Sequence, residues 1–273
     1  MEFQQNLIII NNRKVFYLDN NASGKVLILL HGFPGNHLGL LELANLIGEG
    51  YRIVIPDLPA CGKSDPLVKA YLADYENWLD TFLDSFGVEK VSIMGHSFGS
   101  RVALVYSGNH PDRVEGLILI APVLRVEGVF DRIISAYYSL AGVMPEYMKR
   151  MMLSNGLGKK VGDMVIFKSK NTLRRKEIMK RDAEEVKRID TKTSMEIFDE
   201  FNNYDLVPSG KKVKTDSLVI AGGLDEISPI GAISDLASLL PNAELEVIEE
   251  GGHLIPLEEP EKVARIIRRW LDR

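Results

Sequence analysis

The chain has a single cysteine, Cys61, in 273 residues. One cysteine excludes an intramolecular disulfide and gives no sign of an oxidising compartment, so a cytoplasmic location is expected. Cations are also short: 33 Lys and Arg stand against 38 Asp and Glu, a net charge of −5. Nucleic acid is therefore not an expected partner, because phosphate binding needs clustered basic residues. No apolar run approaches the ~18–20 residues of a membrane span. The opening MEFQQNLIIINN lacks the basic segment, long apolar core and small-residue cleavage site of a secretory leader. No His/Cys metal-ligand cluster is evident either, and nothing in the sequence sets an oligomeric state. What is present is ordinary for a globular chain with a real core: 45% hydrophobic and 26% charged residues, enough for one large α/β domain or a domain carrying an insertion.

Two short apolar runs, Leu7–Ile10 and Lys14–Leu18, flank Asn11-Asn12. Asparagine tolerates positive φ, so this reads as an antiparallel hairpin. Six further runs follow: VLILL (26–30), RIVIP (52–56), VSIMG (91–95), GLILIA (116–121), SLVIAG (217–222) and ELEVIE (244–249). They are too apolar to be one-sided and read as strands buried on both faces of a parallel sheet. Helical spacing fills the intervals at Leu38–Ile47, at Tyr71–Phe86 and from Pro260 through Leu271. In the last, Val263, Ile266, Ile267 and Trp270 take one face and Arg265, Arg268, Arg269 and Arg273 the other. A hairpin followed by strand–helix alternation predicts an α/β fold with an open, mostly parallel, doubly wound sheet.

One segment breaks the rhythm. From Leu124 to Val213 no strand is evident. The expectation is a core domain of 1–123 and 214–273 with a helical cap inserted at 124–213. This segment holds Met144, Met148, Met151, Met152, Met164, Met179 and Met195. Each taken singly is an ordinary helix-core methionine; as a group they suit an adaptable apolar surface. Basic runs such as Arg174-Arg175-Lys176 read as solvated helix faces.

The chemistry concentrates in Gly95-His96-Ser97-Phe98-Gly99, which fits G-x-S-x-G. Such a pentapeptide arises by accident in roughly one chain in ten of this length. Here a buried strand precedes it and a helix follows, the context in which a strained turn lifts a serine Oγ above a sheet. Glycines flank the serine because a Cβ there would strike the neighbouring strand and helix. A serine needs a base. His31 and His37 precede the turn, His96 adjoins it, and His110 sits at a helix end. Only His253, in EEGGHLIPLEEP, follows a late strand in a loop able to reach the sheet's carboxyl edge. Asp225, in the loop GGLDEISP, is placed to orient that base, with Glu226 the runner-up. The loop HGFPG (31–35) is expected to bring the Phe33 amide beside the Phe98 amide as an oxyanion hole.

With these pieces assembled the chain resembles the α/β-hydrolase superfamily over nearly its whole length. The matching motifs are HGFPG (31–35), PDLPACGKSD (56–65), GHSFGS (95–100), GGLDEISP (222–229) and GGH (251–253). The order Ser97, Asp225, His253 is the family's order, and the helical segment corresponds to its cap. One departure is Ala60, where members often carry glycine. The resemblance implies a cofactor-free serine hydrolase of a small-molecule substrate: a carboxylesterase acting on small or medium, apolar acyl esters, with Ser97, His253 and Asp225 catalytic. The same triad serves C–C bond hydrolases and some aminopeptidases, the latter needing cap carboxylates, for which Glu184, Glu185, Glu196 and Glu200 are available. A receptor retaining the fold is the alternative outside enzymes. Two lookalikes fail. Gly62-Lys63-Ser64 echoes a P-loop, but Asp57 stands where its first glycine belongs. Epoxide hydrolases share HGxP and use cap tyrosines, for which Tyr137, Tyr138 and Tyr147 would serve, yet their nucleophile is aspartate. Cys61 has no assigned base and reads as structural.

Overall fold

The computed structural model describes residues 1–124, 178 and 191–273. Most of the expected cap, including Tyr137, Tyr138, Tyr147, Glu184, Glu185 and all its methionines but Met195, lies outside the described residues. The hairpin forms as the sequence predicts. β1 (Gln4–Ile10) and β2 (Arg13–Asp19) pair with Ile10 opposite Arg13. Asn11 and Asn12 take φ of 49° and 61°, the two successive positive values that a tight hairpin turn requires.

β2 then runs antiparallel to β4 (Tyr51–Pro56), and from there every pairing is parallel. β3 (Lys25–Leu30), β5 (Val91–His96), β6 (Val114–Ile120), β7 (Ser217–Gly222) and β8 (Ala243–Ile248) complete an eight-stranded sheet in the order β1-β2-β4-β3-β5-β6-β7-β8. The central strands β3 to β7 are apolar because both faces of the sheet are covered there. On one face, α2 (Leu72–Asp84) and α3 (Phe98–Asn109) bury Trp78, Phe82, Phe98 and Tyr106 against Ile28, Ile93, Leu117 and Val219. On the other, α1 (Leu38–Ile47) and the C-terminal helix Pro260–Leu271 bury Leu40, Leu43, Val263 and Ile267 against Leu29, Met94, Ile118 and Ile220.

β8 differs from the expectation. It closes the sheet as an edge strand and is only half-buried along most of its length. Its ELEVI pattern alternates: Leu245 and Val247 pack on the core, whereas Glu244 and Glu246 meet Arg273 and Arg269 of the C-terminal helix. The glutamates carry the signal of a one-sided strand, and the arginine face of that helix is their complement.

Between β6 and β7 the described residues of the expected insertion include two helices, α4 at Thr191–Asn203 and a short α5 at Val207–Gly210. No helix among the described residues is long and apolar enough to cross a membrane.

Ala60, the departure from the family pattern, sits at φ 67°. A left-handed backbone costs a residue with a Cβ about 1–2 kcal/mol, part of which returns because glycine is freer in the unfolded chain. Ala60→Gly is expected to stabilise the protein by about 0.5–1 kcal/mol in urea unfolding. A loss of stability would show that this loop is not strained.

Candidate active site

Parallel strands deliver their carboxyl ends to one edge of the sheet, and loops there can bring distant residues together. At the end of β5 the chain turns into α3 within one residue. Ser97 makes that turn at φ 52°, ψ −113°, a conformation side chains rarely adopt and one found at functional turns. The two flanking glycines are required by contact: a Cβ on Gly95 would strike the backbone of Gly99 and Ser100, and one on Gly99 the carbonyls of Leu30 and His31 in and after β3. The turn is pinned by Ser97 N–H donating to Ile120 O at 2.9 Å, and by Ser100 Oγ donating to Gly95 O at 2.7 Å.

The loops after β7 and β8 bring Asp225 and His253 to this serine. Ser97 Oγ lies 2.8 Å from His253 Nε2, and His253 Nδ1 lies 2.9 Å from Asp225 Oδ2. All three residues are buried. His253 meets Asp225 and not Glu226. Burial alone would raise the Asp225 carboxyl. The opposing pull of His253, by charge and hydrogen bond, together with the Ser228 and Ile227 amides, holds it below the usual carboxylate range. Those amides donate to Oδ1 at 2.9 and 2.8 Å. Asp225 is therefore an anion that accepts from His253 Nδ1–H, which leaves Nε2 to accept the serine proton. This is the arrangement that converts a hydroxyl into a nucleophile.

The HGFPG loop lies directly against the turn. A Cβ on Gly32 would stand 3.1 Å from His96 Nδ1 and 3.2 Å from Ser97 Cβ, and the Phe33 and Phe98 rings are 6.2 Å apart, edge to face. The Phe98 amide opens α3, where an N–H has no intrahelical acceptor. Among the described residues neither the Phe33 nor the Phe98 amide finds an acceptor.

Several further residues hold these loops together. His96 Nε2–H donates to the His253 carbonyl at 2.9 Å, tying the nucleophile turn to the histidine loop. Complete burial, then the proximity of His253, lowers its pKa to about 3, so it is neutral. His31 accepts from Leu58 N–H at Nε2 (3.0 Å) and donates from Nδ1 to Gly32 O (2.8 Å). Asp57, at the end of β4, takes the His37 amide (2.8 Å) and Nδ1 (2.7 Å) on Oδ1 and the Lys63 amide (2.9 Å) on Oδ2. Burial pushes its carboxyl up, but the bonds and charge of His37 and the charge of His31 outweigh that and leave it lowered. Glu258 accepts the Gly252 amide at 2.7 Å beside His253. Glu196 and Glu200, candidates for holding a substrate amine, accept the amides of Ala70 and Leu72 at 2.8 Å each. In that role they cap the start of α2.

His96 should leave a mark on stability. The unfolded imidazole takes a proton near its ordinary value of about 6.5, the folded one only near 3. Between those values the unfolded state binds the extra proton, so stability is lost as pH falls, by about 1.4 kcal/mol per unit at most. Urea unfolding at pH 7, 6 and 5 is expected to show His96→Gln with a shallower decline than wild type, by at least about 1 kcal/mol over the range. Parallel declines would mean that His96 is not buried neutral.

With the geometry established, comparison with known proteins gives a consistent picture. A family model of the alpha/beta hydrolase fold matches residues 25–260. The chain is 25% identical over 265 residues to Lipase 1 of Psychrobacter immobilis, covering 95% of this chain and 81% of the relative. It is also 25% identical over 285 residues to 2-hydroxy-6-oxononadienedioate/2-hydroxy-6-oxononatrienedioate hydrolase 1 of Dechloromonas aromatica, covering 94% and 90%. Among solved structures, an esterase from Exiguobacterium antarcticum superposes with a TM-score of 0.84 at 21% identity, covering 99% of this chain and all of the other; at that identity the likeness is one of fold. The strained serine turn, the parallel sheet and the matched span agree: the chain belongs to the α/β-hydrolase family.

Proposed function

We propose that the protein is a serine hydrolase that cleaves carboxylic esters of small to medium, apolar acyl chains through an acyl-enzyme. The observation that carries this reading is the unbroken hydrogen-bonded chain from Ser97 Oγ through His253 to Asp225; the Phe33 and Phe98 amides, without an acceptor among the described residues, are the candidate oxyanion donors. Ser97 Oγ attacks the ester carbonyl as its proton passes to His253 Nε2. Asp225 stabilises the imidazolium, and the Phe33 and Phe98 amides receive the oxyanion, each such donor contributing about 2.7–4 kcal/mol to the transition state. Collapse breaks the C–O bond, and the alcohol departs with the proton from His253. Water then attacks the acyl-enzyme while giving a proton to His253, which returns it to Ser97 as the acid leaves. No cofactor or metal is needed by these steps.

The apolar preference rests on the surroundings of Ser97. Phe98 is flanked by the rings of Phe33, Tyr75 and Phe201 at 6.2, 5.0 and 5.7 Å. Of the four cap acids considered for holding an amine, the described two, Glu196 and Glu200, are engaged with backbone amides, which disfavours the aminopeptidase alternative. The lipase among its relatives supports ester chemistry; the dienedioate hydrolase keeps C–C cleavage as the competitor within the family.

Initial rates on p-nitrophenyl esters from acetate to laurate test the reading. Turnover is expected, highest at short to medium chain length, with Ser97→Ala lowering kcat by at least about a thousandfold. Asp225→Asn is expected to lower kcat by about 10⁴, since His253 would lose its required tautomer. An enzyme inert toward every ester would refute the esterase assignment and direct attention to C–C substrates.

A further inference from the structure

Arg101 lies one turn beyond Ser97 on α3 and is fully buried. A buried guanidinium is costly unless its charge and its N–H groups are answered. Among the described residues no carboxylate pairs with it. Instead Nη1 donates to the carbonyls of Val123 (2.8 Å) and Leu124 (2.6 Å), and Nη2 to those of Glu200 (2.6 Å) and Tyr204 (3.3 Å). Its plane stands 5.1 Å from the centre of the Phe201 ring. Burial brings its pKa down to about 10, with the charge of Glu200 opposing, so it remains a cation at neutral pH.

The four carbonyls come from two chain segments, the stretch leaving β6 and the last turn of α4. That turn carries Phe201, whose ring meets Phe98 edge to face at 5.7 Å and 67°. Phe98 follows the nucleophile, and its other ring neighbours, Phe33 and Tyr75, belong to the core. Phe201 is thus the ring of this wall that depends on where α4 sits. α4 is held through two elements, by Glu196 and Glu200 at the start of α2 and by Arg101 of α3 at its last turn.

We propose that Arg101 is a positioning residue that sets the aromatic wall beside Ser97, by locking the last turn of α4 so that Phe201 bears on Phe98, and thereby sets which acyl chain length the site accepts. The chain-length part rests on the esterase reading. Arg101 touches no reacting atom and acts through backbone and ring. Only a planar fork with five N–H donors reaches carbonyls of two segments at once; a lysine ammonium directs three donors from a single point.

The test uses the full chain as wild type, Arg101→Lys, Arg101→Met, Phe201→Ala and the double variant Arg101→Lys/Phe201→Ala. Two readouts are taken: kcat and KM on p-nitrophenyl acetate and octanoate, and amide hydrogen exchange of residues 198–204. The octanoate-to-acetate ratio of kcat/KM is expected to shift at least tenfold, through KM, in Arg101→Lys as in Phe201→Ala, with no further shift in the double variant. Exchange at 198–204 is expected to rise at least tenfold in Arg101→Lys. An unchanged ratio, or shifts that add in the double variant, overturns the proposal, because a purely structural loss lowers both esters alike. If Arg101→Met does not fold, Arg101→Lys and Phe201→Ala carry the comparison. If the wild type hydrolyses neither ester, the esterase reading fails. Exchange then decides the clamp: a rise at 198–204 upholds it and an unchanged rate overturns it.

Discussion

Ser97 is held in a backbone conformation that it would not choose, and the architecture around it is what makes that conformation tolerable. A side chain at φ 52°, ψ −113° persists only where its surroundings over-determine it. Here β5 lies between β3 and β6 in the parallel sheet, and every residue of α3 from Phe98 to Gly108 is buried. Strand and helix are both fixed by packing, so the residue between them takes whatever dihedrals close the gap. Gly95 and Gly99 let the two approach to contact, and the bonds from Ser97 N–H and Ser100 Oγ leave no room to relax. The strain places the hydroxyl above the sheet edge beside the Phe98 amide, which has no acceptor among the described residues.

Around this turn, four loops are joined by polar side chains whose charge states are set by what they touch. His96, which is neutral, and His31 act as spacers, each bonded to backbone: one joins the nucleophile turn to the histidine loop, the other joins the loops after β3 and β4. Asp57 and Asp225 act as anions, each gathering amides and one imidazole. The two carboxylates resemble each other in chemistry and differ in position. Only Asp225 faces a histidine that reaches the serine, and that separates an anchoring pair from a reactive one.

The strands of the core were legible because burial on both faces writes an unbroken apolar run, and the hairpin because Asn11-Asn12 tolerates the required φ. Ser97 could be read from its glycines, and His253 and Asp225 from their places after late strands. The total apolarity of ELEVIE points to a strand buried on both faces, whereas its alternating glutamates mark the edge strand that β8 is. Arg101 and His96 were not legible for a different reason. Nothing next to an arginine in sequence says that its acceptors are carbonyls about 22 and 99 positions away, and a histidine beside the nucleophile looks the same whether it shapes a pocket or fastens a distant loop. Backbone acceptors have no residue type, so they leave no pattern to read. Ala60 was noticed as a departure, but its positive φ belongs to the loop's path and not to its composition.

The pairing of Ser97 with His253 spans 156 residues. At ~5–20 residues per second of synthesis, a growing chain carries its serine for roughly 8–30 s before the imidazole has been made. During that interval β5 already has its neighbour β3, while β6, β7 and β8 are added in turn and the loop that carries His253 comes last. The hydroxyl stays inert until the last third of the polypeptide is in place. In the proposed mechanism Ser97 is therefore activated only once the whole sheet has assembled, and a nascent or truncated chain cannot begin chemistry.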